Sequence, residues 1–120
     1  MFIREKAYQN AIEKVRIDFG TLIGEKTDAD AYIILKELPT LEMMELNKAQ
    51  EKGQEDLMLF FHNVLPKIIV EHNLYETATT LMTNEAVVDF IFEKMDVTSK
   101  VISEYANAAF FTRLSKSGDK

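Results

Sequence analysis

The feature that most constrains the fold of this chain is a dense apolar stretch, Leu57–Val70. At helical spacing, most of its large side chains fall on one broad face. The other elements must cover this face, because each large apolar side chain removed from water contributes roughly 1.5–3 kcal/mol. The face consists of Leu57, Phe60, Phe61, Val64, Leu65, Ile68 and Ile69. We therefore predict a central helix over about Gln54–His72 that is kinked at Pro66, since proline has no N–H to donate to the carbonyl of His62. Two helices that break near Leu65 are the alternative.

Two segments before this helix have the pattern of β-strands. Val15–Phe19 alternates apolar and charged residues, which is typical of a strand with one exposed face, and Gly20 ends it. Ala31–Leu38 is rich in β-branched and aromatic residues. We expect the two strands to pair as an antiparallel hairpin with a long loop, packed on a helix. The preceding segment, Phe2–Lys14, is compatible with a weakly amphipathic helix or with a short strand.

Capping residues predict a helix before the central one. Pro39 stops the second strand, Thr40 is a candidate N-cap, and Glu42 lies near the positive end of the helix. This helix should end near Gly53. Its apolar side is formed by Leu41, Met43, Met44 and Leu46.

Two further helices follow the central one. Leu74–Met82 is a connector rich in threonine, and Thr83 caps a helix over Asn84–Met95. A last helix restarts at Asp96 or Thr98 and continues to about residue 115.

These elements predict a mainly α fold of the α+β class, a helical domain of four to five helices with a small N-terminal β-hairpin. A length of 120 residues, 47% of them hydrophobic and 28% charged, is typical of one folded domain. We assign residues 1–114 to this single globular domain. Residues 115–120 have no apolar anchor and are predicted to be a flexible C-terminal tail.

Charge and composition bear on the class of partner. The formal net charge of −6 opposes attraction to phosphate backbones, so we expect no nucleic-acid partner. The longest apolar run is interrupted by polar residues and is shorter than the roughly 20 residues of a membrane span, and no secretory signal is visible. The chain has no cysteine, which fits a reducing compartment. We therefore expect a cytoplasmic protein without a membrane partner.

The sequence offers no arrangement typical of an enzyme. The two histidines, His62 and His72, are ten positions apart, which is not metal-ligand spacing on a helix. Asp28 and Asp30 lack the further oxygen ligands that a cation loop needs, so turn chemistry explains them better. No serine lies in a nucleophile motif. We expect no catalytic residue, no metal and no cofactor.

Two features favour binding to another polypeptide. Six methionines supply adaptable apolar surface, although filling the core is the alternative explanation for them. A helix cannot bury the adjacent Phe110 and Phe111 on one face, and Leu59 stands opposite Phe61 in the same way, so one residue of each pair is expected to meet a partner. The residues predicted to contact a partner are Met43, Met44, Phe110 and Phe111.

Two motifs, in this order along the chain, resemble those of a known family. Leu-Pro-Thr-Leu-Glu-Met-Met-Glu-Leu at 38–46 follows a hydrophobic strand, and Met-Thr-Asn-Glu-Ala-Val-Val-Asp-Phe at 82–90 follows an apolar helix. Over about residues 31–111 the chain resembles the tail assembly chaperones of long-tailed bacteriophages and prophages. Ala86 stands where the family commonly has an acid, and the N-terminal third has no counterpart in the pattern.

The resemblance implies a small, acidic, mainly helical protein made in the cytoplasm of the infected host cell. Such a chaperone binds the tape measure protein and keeps it soluble until tube subunits polymerise around it, and it is absent from the finished particle. In many relatives a longer, frameshifted form recruits the tail tube protein. The expected partners are thus the tape measure protein and possibly the tail tube protein, and we also expect self-association.

Two alternatives belong to other classes of protein. Asn84–Met95 and Thr98–Arg113 could form the helix-turn-helix of a small DNA-binding regulator. Its second helix offers only Lys100 and Arg113 as cations, beside Glu104. The other alternative is a structural subunit of a tail or connector.

Overall fold

The computed structural model describes residues 1–7 and 12–108. In these residues four α-helices and five strands in two small sheets form a mixed α+β fold, about 52% helical and 18% strand, so the fold is not purely helical. The elements are β1 (Lys14–Asp18), β2 (Tyr32–Lys36), α1 (Thr40–Lys52), α2 (Gln54–Ile68), β3 (Ile69–His72), β4 (Tyr75–Thr77), β5 (Thr80–Leu81), α3 (Asn84–Ile91) and α4 (Met95–Ala106).

The predicted antiparallel hairpin is confirmed in β1 and β2. Ile17 pairs with Ile33, and Arg16 pairs with Ile34. Alternation places Ile17, Ile33 and Leu35 on the inner face of the sheet, where all three are fully buried. Charged residues of β1 occupy the outer face.

The central helix is shorter than predicted, because α2 ends at Ile68 and Ile69–His72 forms a third strand. β3 pairs antiparallel with β2, which gives the order β1-β2-β3. Pro66 removes one helical hydrogen bond, and the β-branched residues after it suit a strand. The side chain of Asn73, which follows β3, accepts from the Tyr32 N–H at 2.8 Å and donates to the Asp30 carbonyl at 3.1 Å.

The α2 helix is the element against which most of the molecule packs, as its apolar face predicts. It contacts α1, α3 and β2. Phe61, Val64, Leu65 and Ile68 are buried in a cluster that also includes residues of the sheet, α3 and α4. This cluster is the hydrophobic core of the described residues.

The α1 helix begins and ends close to the predicted positions. Its N-cap is Pro39 and not Thr40, which is the first helical residue and makes no capping hydrogen bond. Gly53 ends α1 with a φ of 124° and starts α2 immediately. This conformation is accessible to glycine and strained for other residues.

The segment predicted as a connector contains a second small hairpin, β4–β5. His72 holds it to the main sheet. Its Nδ1 accepts from the Leu74 N–H at 3.0 Å, so Nε2 carries the proton and donates to the Met82 carbonyl, also at 3.0 Å.

The third and fourth helices differ from the prediction in their boundaries. The Thr83 side chain caps α3 by accepting from the Ala86 N–H, as predicted, but α3 ends at Ile91. The buried Thr98 hydroxyl lies 2.7 Å from the Ile91 carbonyl, which tightens the turn into α4. The α4 helix ends at Ala106, before the predicted end, and Asn107 and Ala108 are not helical. The rest of the predicted extension, residues 109–115, lies outside the described residues.

Of the segment Phe2–Lys14, for which the sequence is compatible with a helix or a short strand, the described residues before β1 form a short 3-10 turn, Arg4–Lys6, and residues 8–11 lie outside the described part. Lys14 already belongs to β1. The predicted tail at 115–120 lies outside the described residues.

Candidate partner-binding surface

Three large apolar side chains on the packed helices α1 and α2 are exposed. Leu41 and Met44 on α1 are 75% and 52% exposed, and Leu59 on α2 is 55% exposed. We call these three residues the α1–α2 surface. A single exposed apolar side chain is common on a protein surface, but three of them on two packed helices make this region a candidate site for a partner.

The helical repeat explains why these residues point outward. In α1 the side that faces the core is occupied by Leu46 and Ala49, both buried. Leu41 and Met44 lie one turn apart and turn away from that side. In α2 the side chain of Phe61 is buried, so Leu59, two positions earlier, faces the solvent.

Shallow grooves border the exposed side of α2. The α1–α2 grooves have volumes of about 190 and 280 Å³, and a groove between α2 and α3 has about 430 Å³. Phe60 lines both α1–α2 grooves and Leu59 lines one of them. Their volumes lie below or at the lower end of the range of small-molecule sites, whereas an exposed helix with grooves beside it suits a second helix.

Charged residues of both signs surround the apolar positions. The Glu42 carboxylate lies 4.0 Å from the Lys67 ammonium across α1 and α2. Within α1, Glu45 lies 3.7 Å from Lys48. Three of these four side chains are exposed and Glu42 is half-buried. Such surface pairs contribute little to stability, but charged groups beside apolar ones resemble the polar rim of an apolar contact.

The four residues predicted to contact a partner differ in their exposure and in whether the structure describes them. Met44 is exposed, as partner binding requires. Met43 is half-buried and packs against the core, so filling the core explains it better. Phe110 and Phe111 lie outside the described residues. The periodicity of α1 would have identified Leu41 as the neighbour of Met44, one turn earlier.

Several titratable groups elsewhere contact neighbouring side chains. His62 Nε2 lies 3.3 Å from an Asp89 carboxylate oxygen, and both side chains are exposed. On the outer face of the sheet the Arg16 guanidinium lies 2.9 Å from Asp18 and 4.0 Å from the centre of the Tyr32 ring. Tyr32 donates its hydroxyl to Glu71, which raises the pKa of the tyrosine above its usual value.

The described residues contain no group of three histidine or acidic side chains that could hold a metal ion. None of their helices combines the length and the apolar character needed to cross a bilayer. Comparisons of the chain with models of protein families, with curated proteins and with solved structures gave no match.

Proposed function

We propose that this protein is a tail assembly chaperone of a long-tailed bacteriophage or prophage. In this role it binds the tape measure protein and keeps it soluble during tail assembly. The proposal rests on the family resemblance of residues 31–111 and on the α1–α2 surface. The function is binding to a polypeptide and includes no catalytic step.

The observation that carries the proposal is the exposure of Leu41, Met44 and Leu59 on adjacent helices. A tape measure protein is a long helical rod, and before the tube forms around it the apolar side of that rod is open to water. A thioether and two leucines offer apolar area that adapts to a variable helical repeat. The acidic charge of the whole chain would keep such a complex soluble.

Co-expression with the tape measure protein of the same phage or prophage tests the proposal. Wild-type chain should raise the soluble fraction of the tape measure protein. The double variant Met44→Glu with Leu59→Glu places two carboxylates in the apolar contact, so it should lower that fraction by at least about threefold.

Met95→Glu is the matched control. Met95 is also an exposed methionine on a helix, 68% exposed at the start of α4, but it is not part of the α1–α2 surface. This variant should solubilise the tape measure protein as well as the wild type does. Equal effects of the two carboxylate variants, or no effect of the wild-type chain, would count against the proposal.

A further inference from the structure

Among the described residues, β1 is an edge strand of its sheet, and no other strand pairs with its outer side. The Phe19 N–H donates to the Ala31 carbonyl at 2.9 Å, and the Glu37 N–H donates to the Glu13 carbonyl at 2.9 Å. Because hydrogen-bonded positions alternate in an antiparallel ladder, Val15 and Ile17 direct their backbone groups toward β2. The backbone groups of the even-numbered residues 14, 16 and 18 therefore point to the open edge. In the described part of the chain they have no hydrogen-bond partner.

The charges along this edge complement a second copy of the same edge. β1 reads Lys-Val-Arg-Ile-Asp, so a two-fold axis through Arg16 places Lys14 opposite Asp18 of the partner subunit at both ends. Lys14 makes no ion pair within the described residues, and its cross-strand neighbour in β2 is another cation, Lys36. A carboxylate beside these two like charges would relieve their repulsion.

The same register satisfies the backbone groups of both strand edges. Residues 14, 16 and 18 all become hydrogen-bonded positions, which gives about six backbone hydrogen bonds between the strands. A shift by one residue would lose both the charge pairing and these hydrogen bonds.

Arg16 lies on the axis, where two like charges would otherwise oppose each other. Its guanidinium is directed along the strand to Asp18 and over the Tyr32 ring, which belongs to β2. The cation therefore lies over the sheet and not at the open edge. Charged side chains on an edge strand commonly oppose pairing with another chain, but in this register the opposite charges of Lys14 and Asp18 match those of a second copy.

We propose that two copies of this protein associate through antiparallel pairing of β1 with β1, with Arg16 on the two-fold axis. The product is a continuous six-stranded sheet. The interface is separate from the α1–α2 surface, so each half of the dimer keeps that surface available. The proposal does not depend on the identity of the client.

Cysteine cross-linking tests the register, since the chain has no cysteine of its own. Opposed residues of a hydrogen-bonded pair have Cα atoms about 5.5 Å apart, within the range of a disulfide. Arg16→Cys should thus form a disulfide-linked dimer under mild oxidation. The control Lys14→Cys places the two thiols more than about 13 Å apart along the strands and should not cross-link. Failure of Arg16→Cys to cross-link, or equal cross-linking of the two variants, would overturn the register.

Charge exchange tests the same pairing by sedimentation equilibrium. The wild-type chain should dimerise. Asp18→Lys alone should weaken dimerisation by about tenfold, because the new lysine would face Lys14 of the partner subunit at each end of the paired strands. The double variant Lys14→Asp with Asp18→Lys mirrors the original pattern and should regain the wild-type affinity within about threefold. A wild-type chain that stays monomeric, a single variant without effect, or a double variant as weak as the single one would each refute the interface.

Discussion

At the scale of single residues, a few buried polar groups join elements that are distant in sequence. Tyr105 on α4 is fully buried, and its hydroxyl donates to the Lys36 carbonyl of β2 at 2.7 Å. Its ring lies edge-on to Phe61 of α2, with centroids 6.3 Å apart. One side chain thus ties the last helix to both the sheet and the central helix.

Tyr105 gives the chain a specific sensitivity to alkaline pH. Burial, with a smaller contribution from the Glu37 carboxylate, raises the pKa of Tyr105 well above its ordinary value near 10. The unfolded state therefore loses this proton first, so the contribution of Tyr105 to stability is complete below about pH 10 and declines as the pH rises above it. Urea unfolding should show a steeper loss of stability above pH 10 in the wild type than in Tyr105→Phe. At neutral pH the variant should be less stable by about 1 kcal/mol. Parallel pH profiles would contradict this assignment.

Asn84 completes the transition from α2 to β3. Its side-chain amide nitrogen lies 3.1 Å from the Pro66 carbonyl and 3.1 Å from the Ile69 carbonyl. Asn84→Ala leaves both carbonyls without this donor and should lower the free energy of unfolding by about 1–3 kcal/mol. Asn63→Ala removes an exposed amide of α2 and should change stability by less than about 0.5 kcal/mol. Similar effects of the two variants in urea unfolding would argue against the role of Asn84.

At the scale of elements, the turn between α1 and α2 depends on the backbone of one residue. Gly53 has a φ of 124°, and a Cβ atom there would meet no atom within 4 Å. Gly53→Ala should therefore destabilise the protein through backbone strain alone, by about 1–3 kcal/mol. Gly20, with a φ of 59°, is in the left-handed region that asparagine tolerates, so Gly20→Asn should cost less. Thermal unfolding of both variants tests this order, and a neutral Gly53→Ala would contradict it.

The sequence predicts some elements well because a local signal determines them. The alternation in Val15–Phe19 and the helix cap at Thr83 both depend only on residues that are close together in the sequence. Ile69–His72 is different, since the same residues fit a helix until the open edge of β2 is known. Whether these residues form a strand depends on hydrogen bonds between residues that are distant in sequence. Asn73 bonds to the backbone of Tyr32 in β2, and Asn84 bonds to the carbonyl of Ile69.

The exposed residues of the candidate surface could also be predicted from the sequence in part. The exposure of Met44 and the opposition of Leu59 to Phe61 follow from helical geometry. Met43, predicted with Met44 to contact a partner, is half-buried and packs against the core, and the buried residues of α1 are Leu46 and Ala49. Which side of α1 is buried depends on where α2 packs against it, and this position cannot be predicted from the sequence of α1 alone.

At the scale of the whole molecule, the charge distribution bears on the DNA-binding alternative. The net charge is −6, and in α4 the cation Lys100 lies 3.6 Å from Glu104. We expect no retarded band with random duplex DNA at low salt, because phosphate contacts provide most of non-specific affinity. A band that weakens as the salt concentration rises would favour the regulator.

At the scale of the whole molecule we propose two separate contact regions, the α1–α2 surface for a helical client and the β1 edge for a second copy. The most direct test of the central claim is amide hydrogen exchange of this chain with and without the tape measure protein. Binding should slow exchange in α1 and the first half of α2 by at least about fivefold and leave α4 unchanged. Protection confined to α4, or no protection at all, would contradict the account.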